Sequence, residues 1–205
     1  MSSRVSSSIQ IPAPQNRWLP VALLLVLAVP AHAQQTRLNL DPAKTTVSFT
    51  LHDVLHTVHG MFQLKSGAIA FDRATGKAEG LVVVDATSGN SGNRVRDSRM
   101  HREILESAKY PEISFVPLDV KGEIAPQGDS HVEIRGTFKL HGEEHEIEIP
   151  ADVHMTGAEL AADLKFPLTY VKWGVKNPST FILRVSDTVE IEVHAFGRLA
   201  QPNLN

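Results

Sequence analysis

The chain of 205 residues contains no cysteine. That excludes a disulfide framework, a thiolate metal site and a lipid anchored through an N-terminal cysteine. Stability must therefore come from packing and hydrogen bonds. No excess of basic residues is present either: 20 Lys and Arg stand against 23 Asp and Glu, for a formal charge of −3. Without a basic patch, nucleic acid is not an expected partner. The only long apolar run, Trp18 to Val29, is too short for a comfortable bilayer span, and Pro20 and Pro30 interrupt its ends. No Ser-His-Asp order, paired-acid motif or phosphate-cradling glycine loop stands out, so no cofactor is called for and catalysis is the weaker expectation.

What is present begins with a leader. Arg17 precedes the apolar run, and Ala31-His32-Ala33 offers the small residues that a signal peptidase requires. Residues 1–33 are read as a signal peptide, with an uncleaved anchor as the alternative. The Ser-rich start, Met1 to Ser8, is long for an n-region, which leaves open a start further along. The expected location is periplasmic. Loss of Arg4 and Arg17 with the leader takes the formal charge to about −5. Residues 34–200 are enough for one domain with a sizeable core, and 201–205 read as a disordered tail.

After the leader, period-2 alternation dominates. Val47, Phe49 and Leu51 oppose Ser48, Thr50 and His52 in Thr46 to His52. His56 to Leu64 follows, with Val58, Phe62 and Leu64 on one face and Gly60 marking a bend or bulge. Ile69 to Phe71 and Lys77 to Asp85 are the third and fourth strands; the run Leu81 to Val84 predicts cover on both faces. Ile113 to Ile124 is bent at Pro117. Val132 to Leu140, His145 to His154 and Leu160 to Leu168 alternate in turn, and Phe181 to Val185 with Thr188 to Phe196 predicts a closing hairpin.

One segment reads as a helix, Asn93 to Ser107, stopped by Tyr110-Pro111. Met100, Ile104 and Leu105 form its apolar stripe; Arg99 with Glu103 and Arg102 with Glu106 are expected i,i+4 pairs. Eight or nine antiparallel strands with one apolar face must share a core as a sandwich or barrel, and even meandering hairpins favour the barrel. The expected fold is all-β with one helix: a closed eight-stranded antiparallel barrel. Its inward list is nearly all Val, Ile, Leu, Phe and Ala, so any lumen ligand should be apolar.

Two histidine patterns invite a sharper reading. His52, His56 and His59 would line one face of a helix as a metal site, but they fall on two strands and a turn, where the spacing does not converge. His141, Glu144 and His145 match the H-x-x-E-H pattern of inverted zinc peptidases, yet Gly142 between two alternating strands predicts a hairpin turn. Arg96, Asp97 and His101 remain. Arg96 or His101 would meet the polar head of a lipid, such as a diphosphate; alternatively, an Asp97–His101 hydrogen bond ties helix to barrel. Tyr110 and Trp173 would line the barrel mouth or close its core.

The order of several short motifs is similar to that of the YceI-like proteins across Leu38 to Phe196. They are Asp41-Pro42, Gly60-x-Phe62, the G-x-I-x-F-D of Gly67 to Asp72, Arg96-Asp97 with Met100-His101, Lys109-Tyr110-Pro111-x-Ile113-x-Phe115, and Gly136-x-Phe138-x-Leu140-His141-Gly142. Trp173 to Ser179 departs from the usual Arg-x-x-Phe-Gly there. The resemblance implies an exported lipocalin-like barrel holding a polyisoprenoid or other long-chain lipid, without catalysis. The candidate ligand-binding set is Phe49, Phe62, Arg96, His101, Tyr110, Phe138 and Trp173. Alternatives are a hydrolase or isomerase acting on a similar amphiphile, or an accessory protein of prenyl-quinone redox chemistry. Transient membrane contact and a homodimer are further partner expectations.

Overall fold

Strands that are apolar on one face and charged on the other hide the apolar face completely only by curling into a closed sheet. The computed structural model describes residues 35–180 and 184–200. The leader 1–33, the tail 201–205 and the start of the expected closing hairpin lie outside the described residues. The strands are β1 (Gln35–Leu40), β2 (Thr46–Asp53), β3 (Thr57–Asp72), β4 (Ala78–Asn90), β5 (Glu112–Lys121), β6 (Gly128–Leu140), β7 (Glu143–Thr156), β8 (Glu159–Leu168) and β9 (Val185–Leu199). The helix α1 (Arg94–Arg99) runs into a π-helical turn, Met100–Ile104, and a 3-10 turn, Tyr170–Trp173, precedes β9.

From β2 to β9 every strand pairs antiparallel with the next, and β2 pairs with β9 to close the barrel. The ninth strand does not add a ninth position around the ring. β1 and β2 both lie between β3 and β9: Leu38 faces Ile69 and Leu199, and Val47 faces Phe62 and Val193. They are one stave broken by the turn at Asp41, whose carbonyl and carboxylate accept the amides of Lys44, Thr45 and Ala43. The barrel is closed and eight-stranded, with a single helix.

Leu38, Phe71, Val132, Ala151, Val153, Met155, Leu160, Ala162 and Ala195 bury themselves together at one end. The outer face carries ion pairs, among them Lys65–Glu112, Lys121–Glu148, and Lys165 with Glu190 and Glu192. This polarity is the reverse of a lipid-spanning barrel, whose apolar band faces outward. No helix among the described residues is long and apolar enough to cross a membrane.

Several local expectations change. The second and third predicted strands are one strand, β3, kinked by a register shift between Leu64 and Ser66. Gly60 sits in regular register opposite Phe49 on the β2 side, and the expected irregularity follows it on the β4 side, where the register shifts between Met61 and Gln63. The predicted turn at Ser186-Asp187 is absent, because β9 runs unbroken through it. Asn93 caps α1 through its side chain, as a helix start there requires. The helix ends well before Pro111, however, because Glu106 takes a positive φ of 46°. That exit carries Glu106 away from Arg102; Glu106 bonds His141 instead, and Arg102 reaches Glu103 at 3.7 Å. The Arg99–Glu103 pair forms at 3.2 Å. The helix does not cover the outer face of β4: Val83 is buried but Leu81 stays 47 % exposed.

Candidate functional site

The barrel interior is not filled. A cavity of about 430 Å³ runs along the axis, within the usual range for small-molecule sites. Its walls are the inward residues of the alternating strands, including Phe49, Phe62, Phe115, Phe138 and Phe166. Flat rings need flat neighbours, and strand glycines supply them. A Cβ on Gly60 would stand 2.4 Å from the Phe49 ring, one on Gly89 2.6 Å from Phe62, and one on Gly136 2.4 Å from Phe115.

At one end the cavity meets α1 and the π-helical turn. Met100, Ile104 and Leu105 cover it from above, and Arg96 and Arg99 line it while remaining exposed, so this end reaches solvent. The 3-10 turn contributes Tyr170, and Val175 follows it. The hydroxyl of Tyr170 donates to the Ser186 carbonyl at 2.5 Å, and burial, with the nearby Asp187 charge, pushes its pKa up to about 12. Asp53, Thr45 and Ser91 are the other polar lining residues, each already hydrogen-bonded within the protein.

The lid's polar groups form a tight local set. Arg96 donates from Nε to Ser91 Oγ and from Nη2 to the Ser91 carbonyl, both at 2.7 Å. Ser91 in turn donates its hydroxyl and its amide to Asp97. Burial pushes the Asp97 carboxyl up, but the Ser91 hydrogen bonds and the Arg96 charge outweigh it and hold its pKa below the ordinary carboxylate value. The expected Asp97–His101 bond does not form. His101 donates from Nε2 to the Gly89 carbonyl at 2.8 Å, which leaves Nδ1 to accept from Ser107 Oγ at 3.0 Å. Both ring nitrogens are thereby committed: Nε2 holds the lid to β4, and Nδ1 holds the exit of the π-helical turn.

Of the sequence-predicted set, Phe49, Phe62, Phe138 and Arg96 line the cavity. His101, Tyr110 and Trp173 are not among its lining residues. Tyr110 packs on His141 at the β6–β7 turn, with Lys109 Nζ 4.7 Å from its ring centroid. Trp173 is 8 % exposed, contacts Phe138 at 5.4 Å and stacks on His145 at 4.4 Å. It closes the core behind the lumen. Arg99, Tyr170 and Val175 line the cavity although none was singled out as a site residue. Arg99 had a legible signal, one turn from Arg96 on the same helix; the other two follow an irregular loop with no period to read.

The histidine patterns resolve locally. His52 and His59 pair with Thr57 and Thr50 across the β2–β3 hairpin, on the outer face. His141 and Gly142, at φ of 54° and 85°, make the two-residue turn that an H-x-x-E-H helix would forbid. Among the described residues, no three His, Asp or Glu side chains converge to hold a metal.

A family model described as the YceI-like domain matches residues 38–196. A UPF0312 protein of Vibrio cholerae serotype O1 is 23 % identical over 185 residues, covering 87 % of this chain and 96 % of that protein. A UPF0312 protein of Pseudomonas syringae pv. tomato is 31 % identical over 104 residues, 50 % of this chain and 52 % of its own length. Among solved structures, BcnA of Burkholderia cenocepacia superposes with a TM-score of 0.64 at 19 % identity, over 79 % of this chain and 99 % of BcnA. A polyisoprenoid binding domain from Saccharophagus degradans gives 0.63 at 18 % identity, over 80 % and 98 %. The barrel with its lidded lumen and the span of the match, which starts in β1 and ends in β9, place this chain in the YceI-like family.

Proposed function

We propose that this chain is an exported, noncatalytic binding protein that holds an isoprenoid or similar long-chain amphiphile in its lumen. The observation that carries this reading is the cavity itself: apolar side chains for most of its length, with two arginines where it reaches solvent. An apolar tail gains about 25 cal/mol for each Å² it removes from water, wherever along the barrel it lies. A polar head gains only where hydrogen-bond donors wait for it. The tail therefore lies along the barrel, and the polar end stays at the lid beside Arg96 and Arg99. The structural likeness to a polyisoprenoid binding domain supports the ligand class, and the leader read in residues 1–33 supports a periplasmic location. The commitment of His101 and Asp97 to partners within the lid supports binding over turnover.

The test is native mass spectrometry of protein purified without delipidation, then offered a prenyl lipid after extraction. A bound lipid of defined mass is the expected result. Protein that carries no lipid in either state rules the reading out.

A further inference from the structure

We infer that the lid end of the barrel docks on an anionic lipid surface; the purpose of this docking rests on the carrier reading above. Three large apolar side chains are the most exposed among the described residues: Val95 at 82 %, Val54 at 73 % and Leu55 at 72 %. Single exposed apolar residues are ordinary. These lie on two different segments that border the same opening. Val54 and Leu55 form the tip between β2 and β3, whose flanks Asp53 and Val58 line the cavity. Val95 is in the first turn of α1, beside the cavity-lining Arg96. Val171, 38 % exposed on the 3-10 turn, adds a third segment to that rim. The turns at the opposite end, residues 73–77, 122–127 and 157–158, expose no large apolar side chain.

Charge selects the surface. Residues 93–109 carry five basic against three acidic side chains, and residues 170–178 carry two basic and no acidic, in a chain whose formal charge is −3. Lysines on the barrel wall such as Lys65, Lys121, Lys139 and Lys165 are held by glutamates. At the rim, Arg94, Lys172 and Lys176 have no ion-pair partner among the described residues. Apolar knuckles between unpaired cations are what an interfacial contact with anionic lipid requires: the apolar groups enter the headgroup boundary and the cations meet its negative potential. Placed so, the lumen faces the bilayer, and an apolar cargo moves between the two without crossing water.

The absence of cysteine permits a direct test with the full chain. Leu55→Cys, Val95→Cys and, at the far end, Asp129→Cys each receive an environment-sensitive fluorophore and are titrated with vesicles of equimolar phosphatidylglycerol and phosphatidylcholine. The expected result is a blue shift at 55 and 95 and none at 129, lost with pure phosphatidylcholine or high salt. Arg94→Gln and Lys172→Gln should each weaken partitioning about fivefold, as one cation less at an anionic surface implies. Both replace exposed side chains, and circular dichroism checks that each variant is folded. No shift at 55 and 95, an equal shift at 129, or partitioning unchanged in the Arg94→Gln, Lys172→Gln double variant overturns the proposal. Native mass spectrometry of the same protein without vesicles reads cargo separately. Cargo without docking overturns this inference alone; docking without cargo overturns the carrier reading and leaves the surface standing.

Discussion

At the scale of single residues, the lumen depends on side chains that are missing. Phe49 and Phe115 lie against Gly60 and Gly136 on neighbouring strands, closer than any Cβ tolerates. At Gly136 a methyl would also meet the Val116 carbonyl at 2.5 Å, and backbone cannot swing aside as a ring can. Gly136→Ala should therefore cost about 1–3 kcal/mol in urea unfolding, the usual penalty of overpacking a core. An unchanged midpoint would mean that the strand slides to make room. The alternation that puts Phe49, Phe62 and Phe138 inward was legible, because a side-chain period of two is a local property. The pairing of each ring with its glycine was not, since it joins positions on different strands. Gly60 reads from sequence as a bend or bulge, which the register shift beside it at Met61 to Gln63 bears out, and it also lets a ring lie flat.

At the scale of elements, the lid is held mainly by its own flanks. His101 ties it to Gly89 and Ser107, and Asp97 and Arg96 tie it to Ser91; across the mouth, Arg99 reaches the Pro178 carbonyl at 3.4 Å and Glu106 bonds His141 at 2.8 Å. His101→Ala strips partners from a part-buried carbonyl and a buried hydroxyl. The expected loss is about 1–3 kcal/mol, with amide-exchange protection in residues 93–107 falling further than in β6 and β7. Equal losses in lid and barrel would show that the two unfold as one unit. The lid was legible as one helix from its apolar stripe. Its π-helical turn and early exit were not: the exit at Glu106 goes with a contact to His141, 35 residues further on at the β6–β7 turn. Among the strands, β6, β7 and β8 were clear, each having one face buried along its length. β1 was missed because it is short and its partners are β3 and the end of β9. Turn-forming residues at Ser186-Asp187 hid the continuity of β9, which passes through them as an irregularity of the β2 ladder between Val189 and Val185.

At the scale of the whole molecule, an unfilled lumen makes stability depend on its occupant. A ligand bound only by the folded state adds about 2.7 kcal/mol at a hundredfold excess over its dissociation constant. For a domain of this size that corresponds to a rise in Tm of roughly 5–11 °C. Delipidated protein should melt lower by that order and recover on adding a prenyl lipid, followed by calorimetry. Identical melting curves would mean that the lumen holds nothing that matters to folding. That the inward faces are apolar was legible strand by strand; that they leave some 430 Å³ between them was not, since closure sets it. The broken stave has a consequence for the order in which the molecule is made. A chain synthesised from its N-terminus carries β1 and β2 early and can pair both with β3, yet their other edge waits for β9, the last of the described strands. Until the 15 residues of β9 arrive, every hairpin can zip to its neighbour while the apolar interior stays an open trough. Whatever lies in that trough when β9 arrives is enclosed by the act of folding.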